Sequence, residues 1–161
     1  MVRVGFGRDS HPFEREFNKP LILGGIQIEG TEGLQANSDG DVVLHALFNA
    51  ISQACGGESL GYYADPLCKK GITDSKKYIE IALRMAHSQG YAIQNVGIMI
   101  EAKRPYLPHE TIDLMKNSIA GLLGISFHDI GITLTSGEGL TSFGRGKGIL
   151  VEAVVTLIRK I

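Results

Sequence analysis

The stretch Ser38-Asp39-Gly40-Asp41-Val42-Val43-Leu44-His45-Ala46-Leu47 joins a helix start to two side chains suited to a functional site. Its short polar residues carry oxygens that can accept hydrogen bonds from the first N–H groups of a helix. We therefore predict a helix from Val42 to Cys55, ended by Gly56-Gly57. Asp41 and His45 would share one face of it. Two interpretations of His45 stay open: a half-buried ring hydrogen-bonded to Asp41, or a metal ligand with Asp41 nearby.

Toward the N-terminus, Asp9-Ser10-His11 is a second candidate. Alternate side chains of an extended strand share a face, so Asp9 and His11 would point the same way. Alone, such a triplet is more often a surface turn than a metal site. With His45 added, one carboxylate and two imidazoles would suit Zn²⁺, or Mn²⁺ or Co²⁺, and leave a position open for substrate.

Toward the C-terminus, residues 133–146 are rich in glycine and hydroxyl side chains and include Arg145, as expected for a phosphate-binding loop. Glu138 is unusual in such a loop, and it would fit if Mg²⁺ joined it to phosphate oxygens. The alternative is a flexible Gly/Ser-rich turn. Residues 103–109 form a proline-containing loop before a helix, which either shapes a pocket or only connects two elements.

The remaining pattern predicts an α+β (α/β) sandwich in a single domain over residues 1–161. One mainly β-sheet layer would pack on a layer of about three helices. Besides the helix at Val42, helices are expected over residues 74–90 and 109–123, and strands over 2–6, 21–28, 91–102, 130–136 and 151–158.

Composition excludes several classes of protein. The formal net charge of −1 does not provide the excess of Lys and Arg that nucleic-acid binding requires. No apolar run reaches the roughly 18 residues of a membrane span. Of the two cysteines, Cys55 falls on the first helix and Cys68 in a loop. Reduced thiols predict a cytoplasmic protein, or one in an organelle stroma after removal of a transit peptide.

Taken together, Asp9-x-His11, residues 38–47 and the segment from Glu138 to Gly148, with Phe-Gly-Arg-Gly-x-Gly, resemble the 2-C-methyl-D-erythritol 2,4-cyclodiphosphate synthase family. The resemblance implies metal-dependent cyclisation of 4-diphosphocytidyl-2-C-methyl-D-erythritol 2-phosphate, with release of CMP, in non-mevalonate isoprenoid precursor synthesis. Such an enzyme is a phosphorus–oxygen lyase. The resemblance also implies a homotrimer with active sites between subunits. Its substrate would be a small cytidyl diphosphate, and it would have no nucleic-acid or membrane partners.

The resemblance assigns Asp9, His11 and His45 to zinc, and Glu138 to a second ion, Mg²⁺ or Mn²⁺, at the diphosphate. Asn37 and Ser136 are our catalytic candidates, because an amide and a hydroxyl could stabilise charge developing at phosphorus. The implied substrate-binding set is Asp9, Ser10, His11, Asn37, Ser38, Glu58, Ser59, Leu60, Ala102, Lys103, Arg104, Pro105, Tyr106, Leu107, Thr135, Ser136, Gly137, Glu138, Ser142, Phe143 and Arg145.

Several positions depart from the family pattern. Asn37 stands where the family usually has histidine, and Lys147 where glutamate is common. Residues 58–67, expected to form a sugar-binding loop, differ from the usual motif, and Tyr106 follows Pro105 in place of lysine. These departures motivate an alternative, a non-catalytic or weakened paralogue that binds cytidine nucleotide or isoprenoid diphosphate. A zinc hydrolase that activates water at the open metal position is a further alternative.

Overall fold

A four-stranded mixed sheet forms one layer of the molecule, whose computed structural model describes all residues from Met1 to Ile161. The strands lie in the spatial order β1 (Val2–Pro12), β6 (Gly148–Arg159), β4 (Tyr91–Glu101) and β5 (Ile130–Thr135). The central strand β6 runs antiparallel to β1 and β4, whereas β4 and β5 are parallel. A separate hairpin pairs β2 (Pro20–Leu23) with β3 (Ile26–Glu32) across a turn at Gly24 and Gly25, so the expected strand at residues 21–28 is two strands.

Helices cover one face of this sheet. Helix α1 (Val42–Ala54) packs on β1 and β6, α3 (Ser75–Ser88) on β4, and α4 (His109–Leu123) on β5. One continuous hydrophobic core fills the space between the two layers. No helix is both long enough and apolar enough to cross a membrane.

The helix boundaries follow the expected local chemistry. Asp41 caps α1 by accepting a hydrogen bond from the Leu44 N–H at 3.0 Å, and Asp74 caps α3 through the Lys76 N–H at 3.0 Å. Gly124 ends α4 in the left-handed region, with a φ of 68°. The starts of α1 and α3 and the end of α4 are therefore confirmed.

Helix α2 (Leu60–Lys69) was not predicted, and the structure corrects the assignment of residues 58–67 to a loop. Gly61 and Pro66 weaken the helical signal of this segment, and the Ser59 side chain makes no capping hydrogen bond. Cys68 consequently lies in a helix, although the sequence placed it in a loop. The molecule has four α-helices instead of about three, with a two-stranded hairpin beside the main sheet.

Two glycines let α1 lie directly on β1. A Cβ atom at Gly5 would overlap the carbonyl oxygen of Ala50, and one at Gly7 would overlap that of Ala46. Only glycine permits so close an approach of two backbones. Because Gly5 and Gly7 share their strand face with Asp9 and His11, the same contact places those side chains beside α1.

Candidate metal centre

Three predicted ligands meet at the contact between β1 and α1. The Oδ2 atom of Asp9 lies 3.0 Å from Nε2 of His11 and 3.0 Å from Nδ1 of His45. The two ring nitrogens are 3.3 Å apart. All three atoms lie within 4.8 Å of one another, as ligands of a single ion must. The structure thus brings together residues that are 34 and 36 positions apart in the chain.

Burial differs among the three side chains. His45 is 5% exposed, whereas His11 and Asp9 are 21% and 26% exposed. Burial alone would raise the pKa of Asp9, but hydrogen bonds and charge from His11 and His45 outweigh it and hold that pKa well below its usual range. An ionised carboxylate beside two imidazoles is a donor set that fits a divalent metal ion.

The Asp41 carboxylate does not bond to the ring of His45. It accepts hydrogen bonds from the N–H groups of Gly24 at 2.9 Å, Gly25 at 2.6 Å and Leu44 at 3.0 Å. Burial raises its pKa to about 6, against the effect of these three donors. The interpretation that pairs the two side chains is therefore wrong, and Asp41 joins the start of α1 to the β2–β3 turn.

Two serines contact the side of the His45 ring that faces away from Asp9 and His11. Its Nε2 atom lies 2.8 Å from Oγ of Ser75 and 3.1 Å from Oγ of Ser38. Both serines are buried. Ser75 is the first residue of α3 and was not among the predicted site residues.

A cavity of about 290 Å³ opens at Asp9, His11 and His45. Seven of the predicted site residues line it, namely Asp9, His11, Asn37, Ser38, His45, Ser59 and Leu60. Asp65, from the segment 58–67 that was expected to bind the sugar, also lines the cavity, whereas Asn49, Cys68 and Tyr78 line it without having been indicated by the sequence.

Of the substrate contacts predicted close to the metal-ligand candidates, two lie outside this cavity, Glu58 and Ser10. Glu58 lines an adjacent cleft with Arg8 and Gln53. Ser10 is exposed and, by the alternation of β1, points to the opposite face of the strand from Asp9 and His11.

A second cavity, of about 240 Å³, lies at the carboxyl ends of the parallel strands β4 and β5. It is lined by the predicted residues Ala102, Lys103, Pro105, Tyr106, Leu107, Thr135 and Ser136.

Arg104 belongs to the same loop but turns away from this cavity. Its guanidinium lies 2.7 Å from the Glu32 carboxylate and 3.9 Å from the centre of the Phe13 ring. The hydrogen bond from Arg104 is the main reason that the pKa of Glu32 falls to about 2. The contact ties the 103–107 loop to strand β3.

The loop after β5 is held by internal hydrogen bonds. Thr141 Oγ1 donates to the Glu101 carboxylate at 2.5 Å and accepts from the Gly144 N–H at 2.9 Å. Glu138 is exposed, adopts a positive φ of 51°, and donates its N–H to Ser136 Oγ at 3.2 Å. This loop also holds the predicted residues Gly137, Ser142, Phe143 and Arg145. Within this chain, Glu138 is not part of the cluster around Asp9.

Comparison with known proteins assigns the family. Residues 2–158 match the YgbB family. The chain belongs to this family. Among its relatives, a Chlamydia felis protein named 2-C-methyl-D-erythritol 2,4-cyclodiphosphate synthase is 46% identical, with 98% of this chain and 90% of the relative covered. A Chlamydia muridarum protein of the same name is also 46% identical, with 98% and 89% covered.

A solved structure has the same fold. It is IspF from Plasmodium falciparum, described as a CDP complex, and it superposes on this YgbB-family chain with a TM-score of 0.86. The two chains are 26% identical, and the match covers 99% of this chain and 97% of the other. The predicted resemblance to the cyclodiphosphate synthases is confirmed.

Proposed function

We propose that this chain catalyses the reaction for which its relatives are named, the conversion of 4-diphosphocytidyl-2-C-methyl-D-erythritol 2-phosphate to 2-C-methyl-D-erythritol 2,4-cyclodiphosphate and CMP. The observation that carries the proposal is the convergence of Asp9, His11 and His45 at the mouth of a cavity. Cyclisation with loss of CMP makes the enzyme a phosphorus–oxygen lyase.

Asp9, His11 and His45 would hold Zn²⁺, or Mn²⁺ or Co²⁺, and Glu138 would contribute to binding Mg²⁺ or Mn²⁺ at the diphosphate. Bound dications supply Lewis acidity and neutralise the repulsion between the 2-phosphate and the diphosphate. The lowered pKa of Asp9 keeps its carboxylate ionised at neutral pH, as a metal ligand must be.

The protein's own groups position the substrate. The nucleophile is the substrate's own 2-phosphate, so no protein nucleophile is needed. Because the two reacting groups belong to one bound molecule, holding it in one conformation removes much of the entropic cost of bringing them together. Asn37 lines the metal cavity and Ser136 the second cavity, and we assign both as donors to charge developing at phosphorus. The cavity around Ala102 and Tyr106 would take the cytosine, and the loop from Thr135 to Arg145 the cytidyl phosphates.

We also propose a homotrimer with active sites between subunits. In one chain the metal cavity and the cavity at Ser136 are separate, and no residue lines both. A subunit would therefore present its metal ligands to the cytidyl pocket of its neighbour. The uncovered sheet face supports this arrangement, because Val4, Phe6 and Val154 leave apolar surface exposed there.

The proposed location is the cytoplasm, or an organelle stroma after removal of a transit peptide. Cys55 and Cys68 are both free thiols, which is usual for proteins in reducing compartments. Cell fractionation followed by immunoblotting tests this location.

The experiment that tests the function is incubation of purified protein with the diphosphocytidyl substrate and Mg²⁺, with both products identified by mass spectrometry. We expect CMP and the cyclic diphosphate from the wild type, and no CMP release from His45→Ala. His87→Ala is the matched control, because His87 is exposed on α3 and lies outside both cavities.

Three other outcomes would each contradict the proposal. Undiminished CMP release by His45→Ala would show that the reaction does not require the metal centre. Nucleotide binding without turnover would identify the weakened paralogue, and a linear product would identify a hydrolase.

A further inference from the structure

The ring of His45 has two polar sides with different partners. Nδ1 faces Asp9 and His11, where a metal ion would bind. Nε2 faces the buried serines Ser75 and Ser38. A neutral imidazole that binds a metal through Nδ1 carries its proton on Nε2, and that proton needs an acceptor inside the protein because the ring is buried.

Ser75 is held so that it can act as this acceptor. Its Oγ–H group points to Oδ1 of Asp39, at 2.5 Å, and its backbone N–H donates to Oδ2 of the same carboxylate at 3.0 Å. With its own proton donated to Asp39, the hydroxyl has lone pairs left for the Nε2–H of His45 at 2.8 Å. In this arrangement His45 Nε2–H donates to Ser75 Oγ, and Ser75 Oγ–H donates to the Asp39 carboxylate.

Asp39 is itself anchored from two elements. Its Oδ1 atom accepts the N–H of Asp41 at 3.1 Å, and its own N–H donates to the Thr73 carbonyl at 2.9 Å. The carboxylate thus joins the residues before α1 to the first residue of α3, with the His45 ring enclosed between them. Ser38 is less well placed to accept the Nε2–H of His45, because its Oγ lies 3.1 Å from Nε2 and already accepts the Gly40 N–H.

We propose that Asp39 and Ser75 are positioning residues of the metal centre, which act through His45 and touch neither substrate nor ion. Ser75 fixes the Nε2–H tautomer and the angle of the ring, and Asp39 fixes Ser75. Through the serine, the negative charge of Asp39 also increases the electron density that Nδ1 offers to an ion. The inference rests on the metal site proposed above and adds the groups that orient its buried ligand.

The test is the affinity for Zn²⁺ alone, measured by competition with a chromophoric chelator, in the full-length protein. We expect Ser75→Ala to weaken binding about 10- to 100-fold, the usual range for groups that orient a ligand. Asp39→Asn should also weaken Zn²⁺ binding, because Ser75 then faces either an amide NH₂ group or an amide oxygen, which is a weaker acceptor than a carboxylate. Ser88→Ala is the matched control on the same helix, where the exposed hydroxyl bonds only to the Met85 carbonyl.

The outcomes separate this inference from the proposed function. If the wild type does not bind Zn²⁺, the metal site itself is refuted, and the positioning role with it. If the wild type binds Zn²⁺ and Ser75→Ala binds it equally tightly, only the positioning role is overturned.

A measurement on the wild type decides the matter if Ser75→Ala does not fold. In the zinc-loaded protein, NMR of the histidine side chains should show the His45 proton on Nε2, exchanging slowly with water and close to Ser75. A proton on Nδ1, or one on Nε2 that exchanges freely, would overturn the inference.

Discussion

At the residue scale, Asp41 connects two elements through a single buried carboxylate. It accepts three backbone N–H groups, one in its own helix and two in the turn between β2 and β3. We expect Asp41→Ala to lower the free energy of unfolding by about 2–4 kcal/mol, because three backbone N–H groups, two of them in buried hydrogen bonds, lose their acceptor. Urea denaturation of the metal-free protein measures the loss.

Asp74→Ala provides the comparison. Asp74 caps α3 at an exposed position and accepts one helical N–H, so its removal should cost about 1 kcal/mol. Equal losses from the two variants would show that the contacts of Asp41 to the β2–β3 turn contribute nothing to stability.

Local geometry made Asp9, His11 and His45 candidates for one site, and the family resemblance assigned them to a metal ion. Strand alternation places Asp9 and His11 on one side, and the helix start fixes the position of His45. Ser75 could not be found in this way. It follows His45 by 30 residues, and the packing of α3 against α1, which no short spacing encodes, brings the two together. For the same reason the sequence suggested Asp41, the near neighbour, as the partner of the ring.

At the element scale, the contact between β1 and α1 depends on the absence of side chains at two positions. We expect Gly7→Ala to destabilise the protein by about 3 kcal/mol, because the new methyl would meet backbone atoms of α1, which cannot rotate away. Zn²⁺ affinity should fall as well, since a displaced α1 carries His45 with it. Thermal unfolding and metal titration measure the two effects.

Gly121→Ala is the control for this substitution. Gly121 lies in α4 with no atom within 4 Å of the added methyl. Alanine should there stabilise the helix by up to about 1 kcal/mol. A Gly7→Ala protein as stable as the wild type would contradict the proposed close packing.

The ion pair between Glu32 and Arg104 joins β3 to the 103–107 loop and should make stability depend on pH. The folded-state pKa of Glu32 is about 2, below the ordinary value of 4.5, so its stabilisation is present above pH 4.5 and is lost as the pH falls toward 2. We expect Glu32→Gln to be less stable than the wild type by about 0.5–1 kcal/mol at pH 7, since the pair is partly exposed.

Denaturation at several pH values tests this ion pair. The difference between the two proteins should shrink as the pH falls through the range from 4.5 to 2. A difference that stays constant with pH would assign the effect to packing instead of charge.

Among the elements, long periodic segments were predictable and α2 was not. The apolar spacing of α1, α3 and α4 reflects the face that each buries on the sheet. In α2, which is only 10 residues long, Gly61 and Pro66 lower the helix propensity, so the sequence gives a weak helical signal. The helix is held by contacts such as the Leu60 N–H to Asn49 Oδ1 hydrogen bond at 2.9 Å, which depend on the folded position of α1.

At the scale of the whole molecule, the uncovered sheet face leads to a prediction about assembly. Val154 is 44% exposed on β6, beside Phe6 on β1. We expect the wild type to sediment at three times the chain mass of 17.4 kDa. Val154→Glu should sediment at the mass of one chain, because a carboxylate would be buried at the subunit contact.

Leu114→Glu serves as the control for assembly. Leu114 is 55% exposed on α4, on the helical layer, so a charge there should leave the mass unchanged. A monomeric wild type, or a trimer that tolerates glutamate at position 154, would contradict the proposed interface.

The α+β class and the layered arrangement were predictable because alternating strand and helix patterns have few ways to cover their apolar faces. Assembly has no such local signal. Phe6 and Val154 differ from buried strand residues only in what covers them, and the sequence does not encode that locally.

Strand β1 lies at an edge of the sheet and pairs on one side only, with β6. It nevertheless supplies two of the three donors, while the third comes from α1. A dication bound there would link the edge strand to helix α1. At a free concentration one hundred times its dissociation constant, it would raise the free energy of unfolding by about 2.7 kcal/mol. Removal of the ion should therefore first speed hydrogen exchange at the backbone amides of residues 2–12, because loss of the ion and local opening of the edge strand are coupled.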